Sequence, residues 1–410
     1  MGLPPPATTL PAEPARIVPS RAAARELITT RITATSAEPT VGAEIEWLIL
    51  DPADPRRRPA LPEIEAALGP WAPPIGGRSA PLPGGSVVTI EPGGQIELSS
   101  APAATTRELL AALREDARLL AARLSDRRLV LGCAAADTGR APERILDAPR
   151  YRAMESVFDR NGPMGRIMMN NTAAVQPCVG PGSTPAESEA RWQMLNAIGP
   201  ALIAAFAASP RVAGGAAGRW ASQRMRAWFT LDPSRTRLPA GCTLGEDYAE
   251  WALDVPLLCV RSKGEQWAAP PGLALGAWIE QGTRSPIGRA ATVTDVDYHL
   301  TTLFPPVRPK GFFEIRYLDQ QPDQQWDIPV AVVAALVSCP AAVEHAHGIA
   351  EPTASSWARA ARLGTRDPGL ARAASDLLML AASHCEDTTI AARIEQLARP
   401  QTTTARAGAQ

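Results

Sequence analysis

Apolar and polar positions alternate with period two in "TVGAEIEWLIL", so a strand there puts Glu44 and Glu46 on one face and Ile45, Trp47 and Ile49 on the other. The same alternation in "TIEPGGQIELSSAP" predicts a strand with Gln95, Glu97 and Ser99 together. In "GFFEIRY" it sets Glu314 and Arg316 against Phe313, Ile315 and Tyr317. "MGRIMMNNTAAVQPCVG" also reads as a strand, with Asn170, Thr172, Ala174 and Gln176 sharing a side, and "RRLVLGCAA" as one more. Helical spacing shows in "RAAARELITTRI" and most clearly in "TTRELLAALREDARLLAARLSDR". There Leu109, Leu113, Leu120 and Leu124 recur on one face, and Thr105 or Thr106 ahead of an acidic residue supplies an N-terminal cap. "ESVFDRN" reads as a helix end or loop. A further helix is predicted from Pro185 to Ser209, bent at Pro200 because proline donates no backbone hydrogen bond. Everything after Trp326 is helical in pattern.

Strands early and in the middle, a helical end and few βαβ repeats predict an α+β fold built on an antiparallel sheet. The Pro-rich opening "MGLPPPATTLPAEPARIVPS" reads as a mobile tail over 1–20, followed by a single domain over 21–400 whose part from 327 to 400 is helical. The longest apolar segment, "AIGPALIAAFAAS", is interrupted by Pro200 and falls short of the roughly 20 residues that a bilayer needs. With 41 Lys+Arg against 42 Asp+Glu, the chain has no bulk field to draw nucleic acid or an acidic membrane. Six scattered cysteines without a C-x-x-C pair argue against a zinc site or a redox dithiol and fit reduced thiols in the cytoplasm. The abundance of Pro, Ala and Arg follows high-GC base composition.

Four predicted strands thus carry carboxylates or amides on one face. For any single strand, a sheet with one wet side accounts for this. Four together call for cations, since an ionised carboxylate buried without a partner costs several kcal/mol. Hard oxygen ligands without a His or Cys cluster select Mg²⁺, or Mn²⁺, over zinc, and magnesium so held grips nucleotide phosphates. An arginine two residues from a metal-binding glutamate stands beside the same phosphates. Neither a G-x-x-x-x-G-K-[ST] loop nor a kinase motif set is present, so the nucleotide has to be held by the sheet itself.

"VGAEIEW", "EPGGQIELSSAP", "ALDVPLLCVR" and "HLTTLFPPVRPKGFFEIR" resemble glutamate-cysteine ligase of the plant and proteobacterial type, in order from about Thr40 to Gln321. More distantly, Glu44/Glu46 and Glu314/Arg316 resemble the E-x-E and E-x-R pattern of glutamine synthetase. The resemblance implies a curved, mostly antiparallel sheet forming a funnel, helices on its outer face, and ATP and amino acids entering from opposite ends. It implies ATP-driven formation of γ-glutamyl phosphate from L-glutamate and attack on it by the amine of L-cysteine, giving γ-glutamylcysteine. Carried over by position, Glu44, Glu46, Glu91, Glu97 and Glu314 are metal ligands, with Gln176 a ligand or substrate contact where relatives sometimes have His. Arg316 stabilises the transferring phosphoryl group, Arg308 and Lys310 stand near phosphates, and Glu97 and Arg316 are the residues whose loss should abolish catalysis. Arg224 and Arg235 in "SQRMRAWFTLDPSRT" match positions that bind substrate carboxylates, and Tyr248 either touches substrate or packs. His299 reads as a structural histidine, and Cys178 and Cys259 as small buried hydrophobes. Composition and resemblance together suggest an actinobacterial enzyme whose product feeds ergothioneine synthesis. Two rivals share the fold: a ligase for another amine acceptor, and a non-enzymatic amino-acid binder. The residues specify no oligomeric state, and a monomer is compatible with them.

Overall fold

The period-two segments come together in one eight-stranded sheet in which every pairing is antiparallel. The computed structural model describes residues 16–36, 40–215 and 218–399. The strands are β1 (Val41–Leu50), β2 (Val87–Ile90), β3 (Ile96–Ser99), β4 (Val130–Gly132), β5 (Ala174–Val179), β6 (Val307–Pro309), β7 (Phe313–Ile315) and β8 (Leu318–Asp319). Their order is β2-β3-β1-β5-β7-β6, with β4 added to β1 and β8 to β5, so the expected α+β, antiparallel architecture is present and the ladder stays open. Register carries the pattern across strands: Glu46 lies opposite Glu97, Glu44 opposite both Ser99 and Gln176, and Glu314 opposite Cys178 and Arg308. Ile45, Trp47, Ile96, Leu98, Val175, Phe313 and Ile315 take the other face and are fully buried. Helices Thr106–Ser125 and Asp327–Leu336 lie over β1 and β5 respectively, and Trp326 meets Trp47 edge to face at 6.5 Å between ring centroids. A single large apolar core gathers buried residues from Val18 to Ala398, and a small second cluster joins Ala153, Cys259 and Tyr298.

Three local expectations need correction. "TIEPGGQIELSSAP" is a hairpin and not one strand: Glu91 N donates to Gln95 O at 2.8 Å, and Gly94 turns the chain at φ +88°. Gly93 is required by close approach, because a Cβ there would sit 2.2 Å from the carbonyl oxygen of Asn170. "MGRIMMNN" forms the helix Met164–Asn171, with Met164 and Ile167 buried at helical spacing, so Asn170 and Thr172 leave the sheet face and the strand begins at Ala174. The break near Pro200 falls at Ile198, between helices Pro185–Ala197 and Gly199–Phe206, because proline fits the first turn of the second helix.

Of the tail expected over 1–20, residues 1–15 lie outside the described residues. Val18 is buried and donates its N–H to Ala291 O at 3.0 Å, so the packed chain starts before residue 21. After Trp326 the chain forms helices Asp327–Leu336, Pro340–Ala350, Trp357–Leu363, Pro368–Ser383 and Thr388–Ala398. Thr105 caps the long early helix reciprocally with Glu108, as its sequence indicates. Among the described residues no single helix is long and apolar enough to cross a membrane. All six cysteines are free thiols.

His299 is structural: it is 2 % exposed and its Nε2 lies 2.8 Å from Ala252 O, which fixes Nε2–H as the donor. Burial pushes its pKa down to about 4. The folded protein keeps the ring neutral while the unfolded chain protonates it below about 6.5, so stability is present at neutral pH and lost as pH falls through that window. Chemical denaturation of wild type and His299→Gln, which keeps an N–H donor but does not titrate, should show the stability difference between the two moving by about 2 kcal/mol against the wild type between pH 7.0 and pH 5.0.

Candidate active site

Alternation on β1, β3, β5 and β7 brings Glu44, Glu46, Glu97, Gln176 and Glu314 to the sheet face opposite the one that carries Ile45, Trp47 and Phe313, and Glu91 joins them from the β2–β3 turn. Burial pushes the carboxyl groups of Glu44, Glu46, Glu91 and Glu97 upward, Glu44 to about 8. Mutual repulsion adds to this: Glu314 and Glu97 act on Glu44, and Glu97, Glu46 and Glu44 act on Glu91. Thr89 and Ser99 donate to the same oxygen of Glu97, at 2.9 and 3.2 Å. Glu46 accepts from Ala174 N at 2.9 Å and from Gln176 Nε2 at 2.8 Å, while Gln176 Oε1 is buried without a partner.

Glu314 differs from the other four. Its side chain is 0 % exposed, and three cations converge on it. Arg308 binds it bidentately at 2.5 and 2.9 Å, Arg316 Nη1 at 2.8 Å and Lys310 Nζ at 3.2 Å. Lys310 also stands 3.9 Å from Glu44. Burial works against ionising Glu314, yet Arg308, Lys310 and Arg316 hold it well below the usual carboxylate range. Among the described residues no three His, Cys, Asp or Glu side chains are already gathered as a metal-ligand group. The six residues expected as ligands therefore divide: Glu314 is held by three cations, while Glu44, Glu46, Glu91, Glu97 and the free oxygen of Gln176 present hard-oxygen donors that no comparable cation group neutralises. That donor chemistry fits Mg²⁺ or Mn²⁺.

Arg316 sits in a break of the ladder. From Cys178 to Val175 β5 advances three residues, while the facing chain from Glu314 to Leu318 advances four, which is a β-bulge centred near Arg316. The bulge leaves Arg316 on the acidic face and turns both Tyr317 and Leu318 into the core. Arg224, on helix Gln223–Leu231, donates from Nη2 to the bulge carbonyl Arg316 O at 2.7 Å. Its other Nη lies 3.8 Å from Asp319, and Asp319 in turn accepts from Ser209, Ser222 and Ala208 N. Arg224 is thus at the site, and it counters the burial of Glu46 together with Arg316.

Arg235 is held away from any solvent-facing role. It is 1 % exposed and donates to Asp232 at 2.6 Å and to the carbonyls of Pro256 and Thr302 at 2.9 and 3.2 Å, so in this structure its guanidinium ties three segments together. Tyr248 is fully buried and stacks edge to face on Trp192 and Trp251, at 5.8 and 5.0 Å between ring centroids. Cys178, read as a small hydrophobe, lies on the charged face beside Glu44 and Glu314. Burial and then those two carboxylates raise its thiol pKa well above the ordinary value. Sequence reasoning missed Tyr151, whose hydroxyl is pushed upward by burial and by Glu91, and its neighbour Arg150, which lies 5.2 Å from the Tyr298 ring. It also missed Trp228 and Phe304 beneath Arg316. Only the nearness of Glu91 and Glu97 reveals Tyr151, and no spacing in the chain foreshadows it.

Residues 40–408 match the family model described as glutamate-cysteine ligase family 2 (GCS2). "Glutamate--cysteine ligase EgtA" of Mycobacterium tuberculosis is 40% identical over 349 residues, covering 83% of this chain and 78% of that protein. The protein of the same name from Mycolicibacterium smegmatis is 38% identical over 352 residues, covering 83% and 79%. Chloroplastic glutamate–cysteine ligase of Nicotiana tabacum is 32% identical over 246 residues, covering 57% of this chain and 46% of its own length. The family match spans all five acidic residues of the open sheet face and the bulge that carries Arg316, and the chain belongs to glutamate-cysteine ligase family 2.

Proposed function

We propose that this protein is an ATP-dependent ligase that joins the γ-carboxylate of L-glutamate to the amine of L-cysteine, releasing ADP and phosphate. The observation that carries the reading is the juxtaposition, on one sheet face, of carboxylates held upward in pKa by burial with the cation group Arg308, Lys310 and Arg316. A γ-carboxylate oxygen attacks the γ-phosphorus of ATP and the bond to ADP breaks. The cysteine amine then attacks the acyl carbon, phosphate leaves, and the amine loses its proton. Glu44, Glu46, Glu91, Glu97 and Gln176 Oε1 would hold Mg²⁺, which supplies charge neutralisation at the triphosphate. Arg316, with one Nη on Glu314 and its Nε buried without a partner, has donors left to meet charge developing on the transferring phosphoryl group. Lys310, half-buried at the edge of the group, and Arg308 face the phosphates. We read Arg224 as the arginine that takes a substrate carboxylate, and Arg235 as part of the scaffold. The mycobacterial relatives carry the name glutamate–cysteine ligase, which supports this substrate pair. We read the product as a precursor for ergothioneine, and deletion of the gene should abolish ergothioneine.

Release of ADP from Mg-ATP should require both glutamate and cysteine. Glu97→Ala and Arg316→Ala should each lower kcat by roughly 10²- to 10³-fold, the scale of losing a preorganised charge contact. Faster ADP release with an amine other than cysteine, or full activity in Arg316→Ala, would overturn the assignment.

The carboxylates also predict how the metal-free protein responds to pH. The Glu44 pKa is raised to about 8, so the folded state holds a proton that the unfolded chain releases above about 4.5; the contribution of Glu44 to stability is fully present below about 4.5 and lost as pH rises through about 8. The melting temperature of chelator-treated protein should fall between pH 6.5 and pH 8.5, Mg²⁺ should restore more at the higher pH, and Glu44→Gln should flatten the dependence. Differential scanning calorimetry checks all three.

A further inference from the structure

We infer that Trp228 is a positioning residue for Arg316, fixing the plane of its guanidinium in phosphoryl transfer; this rests on the function proposed above. The Arg316 guanidinium carbon lies 5.1 Å from the centroid of the Trp228 ring and 5.9 Å from that of Phe304. The two rings meet edge to face at 5.5 Å, so they form a rigid shelf. Both are 7 % exposed. Trp228 comes from helix Gln223–Leu231, and Phe304 is held by its N–H on Arg235 O at 2.9 Å, which gives the buried Arg235 a part in the same shelf.

Arg316 needs such support because its polar contacts are few. The side chain has one ion pair, Nη1 to Glu314, and that carboxylate is shared with Arg308 and Lys310. Its Nε is buried and without a partner. One hydrogen bond leaves the guanidinium free to rotate about the Nη1 contact, whereas an aromatic face attracts a cation and sets its plane. Trp228 also lies 5.9 Å from Arg224, the like-charged neighbour of Arg316. Arg224, however, is already fixed by Arg316 O and flanked by Asp319. The ring therefore matters more for Arg316 than for Arg224.

The two arginines have different roles in the proposed reaction, so the kinetic parameters separate them. Loss of the shelf under Arg316 lowers kcat, while disturbance of Arg224 raises KM for glutamate. Trp228→Leu should lower kcat roughly 5- to 30-fold, the scale of a desolvated cation–π contact, with KM for glutamate and ATP changed less than about twofold. Trp228→Phe, which keeps an aromatic face, should stay within about threefold of wild type. In an Arg316→Lys background, where no planar group is left to orient, Trp228→Leu should add less than about twofold. Multiplicative effects in this double-mutant cycle, or a rise in KM with kcat unchanged, would overturn the inference. If Trp228→Leu does not fold, as judged by its melting transition, Trp228→Phe and Phe304→Leu complete the cycle. Wild-type protein that releases no ADP with glutamate and cysteine would instead refute the ligase reading itself.

Discussion

A glutamate with no solvent exposure, met by two arginines and a lysine, organises this molecule's charged face. An ionised carboxylate buried alone would take up a proton, and the low pKa of Glu314 is possible only because Arg308, Lys310 and Arg316 converge on it. Arg308 and Arg316 are little exposed, and Glu314 is the carboxylate that pairs with both. The cluster thereby keeps a dense positive group on the β6–β7 side of the face that carries Glu44, Glu46 and Glu97, which lack equivalent partners. A face with its positive and negative halves unbalanced side by side suits a triphosphate and its metal, each of which completes one half.

The backbone contributes through an irregularity. Had β7 and β8 been one continuous strand, alternation would have kept Leu318 and Arg316 on the same side, and either the core or the charged face would have been wrong. The bulge shifts the phase by one residue, so Phe313, Ile315, Tyr317 and Leu318 all pack inward while Glu314, Arg316 and Asp319 stay together. Arg224 caps the carbonyl that the bulge exposes, and Asp319 is fastened by Ser209 and Ser222. The bulge that carries Arg316 and the polar groups that fasten it are therefore one network.

The acidic face was legible because strands have a fixed period. Glu44 and Glu46, Gln95 and Glu97, and Glu314 and Arg316 each declare a side within a few residues, and β pairing only had to align them. Asn170 and Thr172 misled because a short run with Met and Ile serves a helix or a strand equally, and the buried contacts of Met164 and Ile167 decided for the helix. The contacts of Arg235 were not legible for another reason: an arginine that binds substrate and one that ties backbone carbonyls look the same in a sequence.

What the chain determined by itself, then, is the set of side chains that share a face, since local stereochemistry makes neighbours two apart in a strand point the same way. It also determined the capped helix Thr106–Ser125 and the helical end after Trp326. Tertiary structure alone decided that Glu314 is paired with cations, that a bulge re-aims Arg316, that Gly93 must admit the Asn170 carbonyl, and that Trp228 and Phe304 lie beneath Arg316. Those outcomes depend on groups far apart along the chain meeting within hydrogen-bond or ring-contact distance, and no local pattern encodes which distant partner will be there.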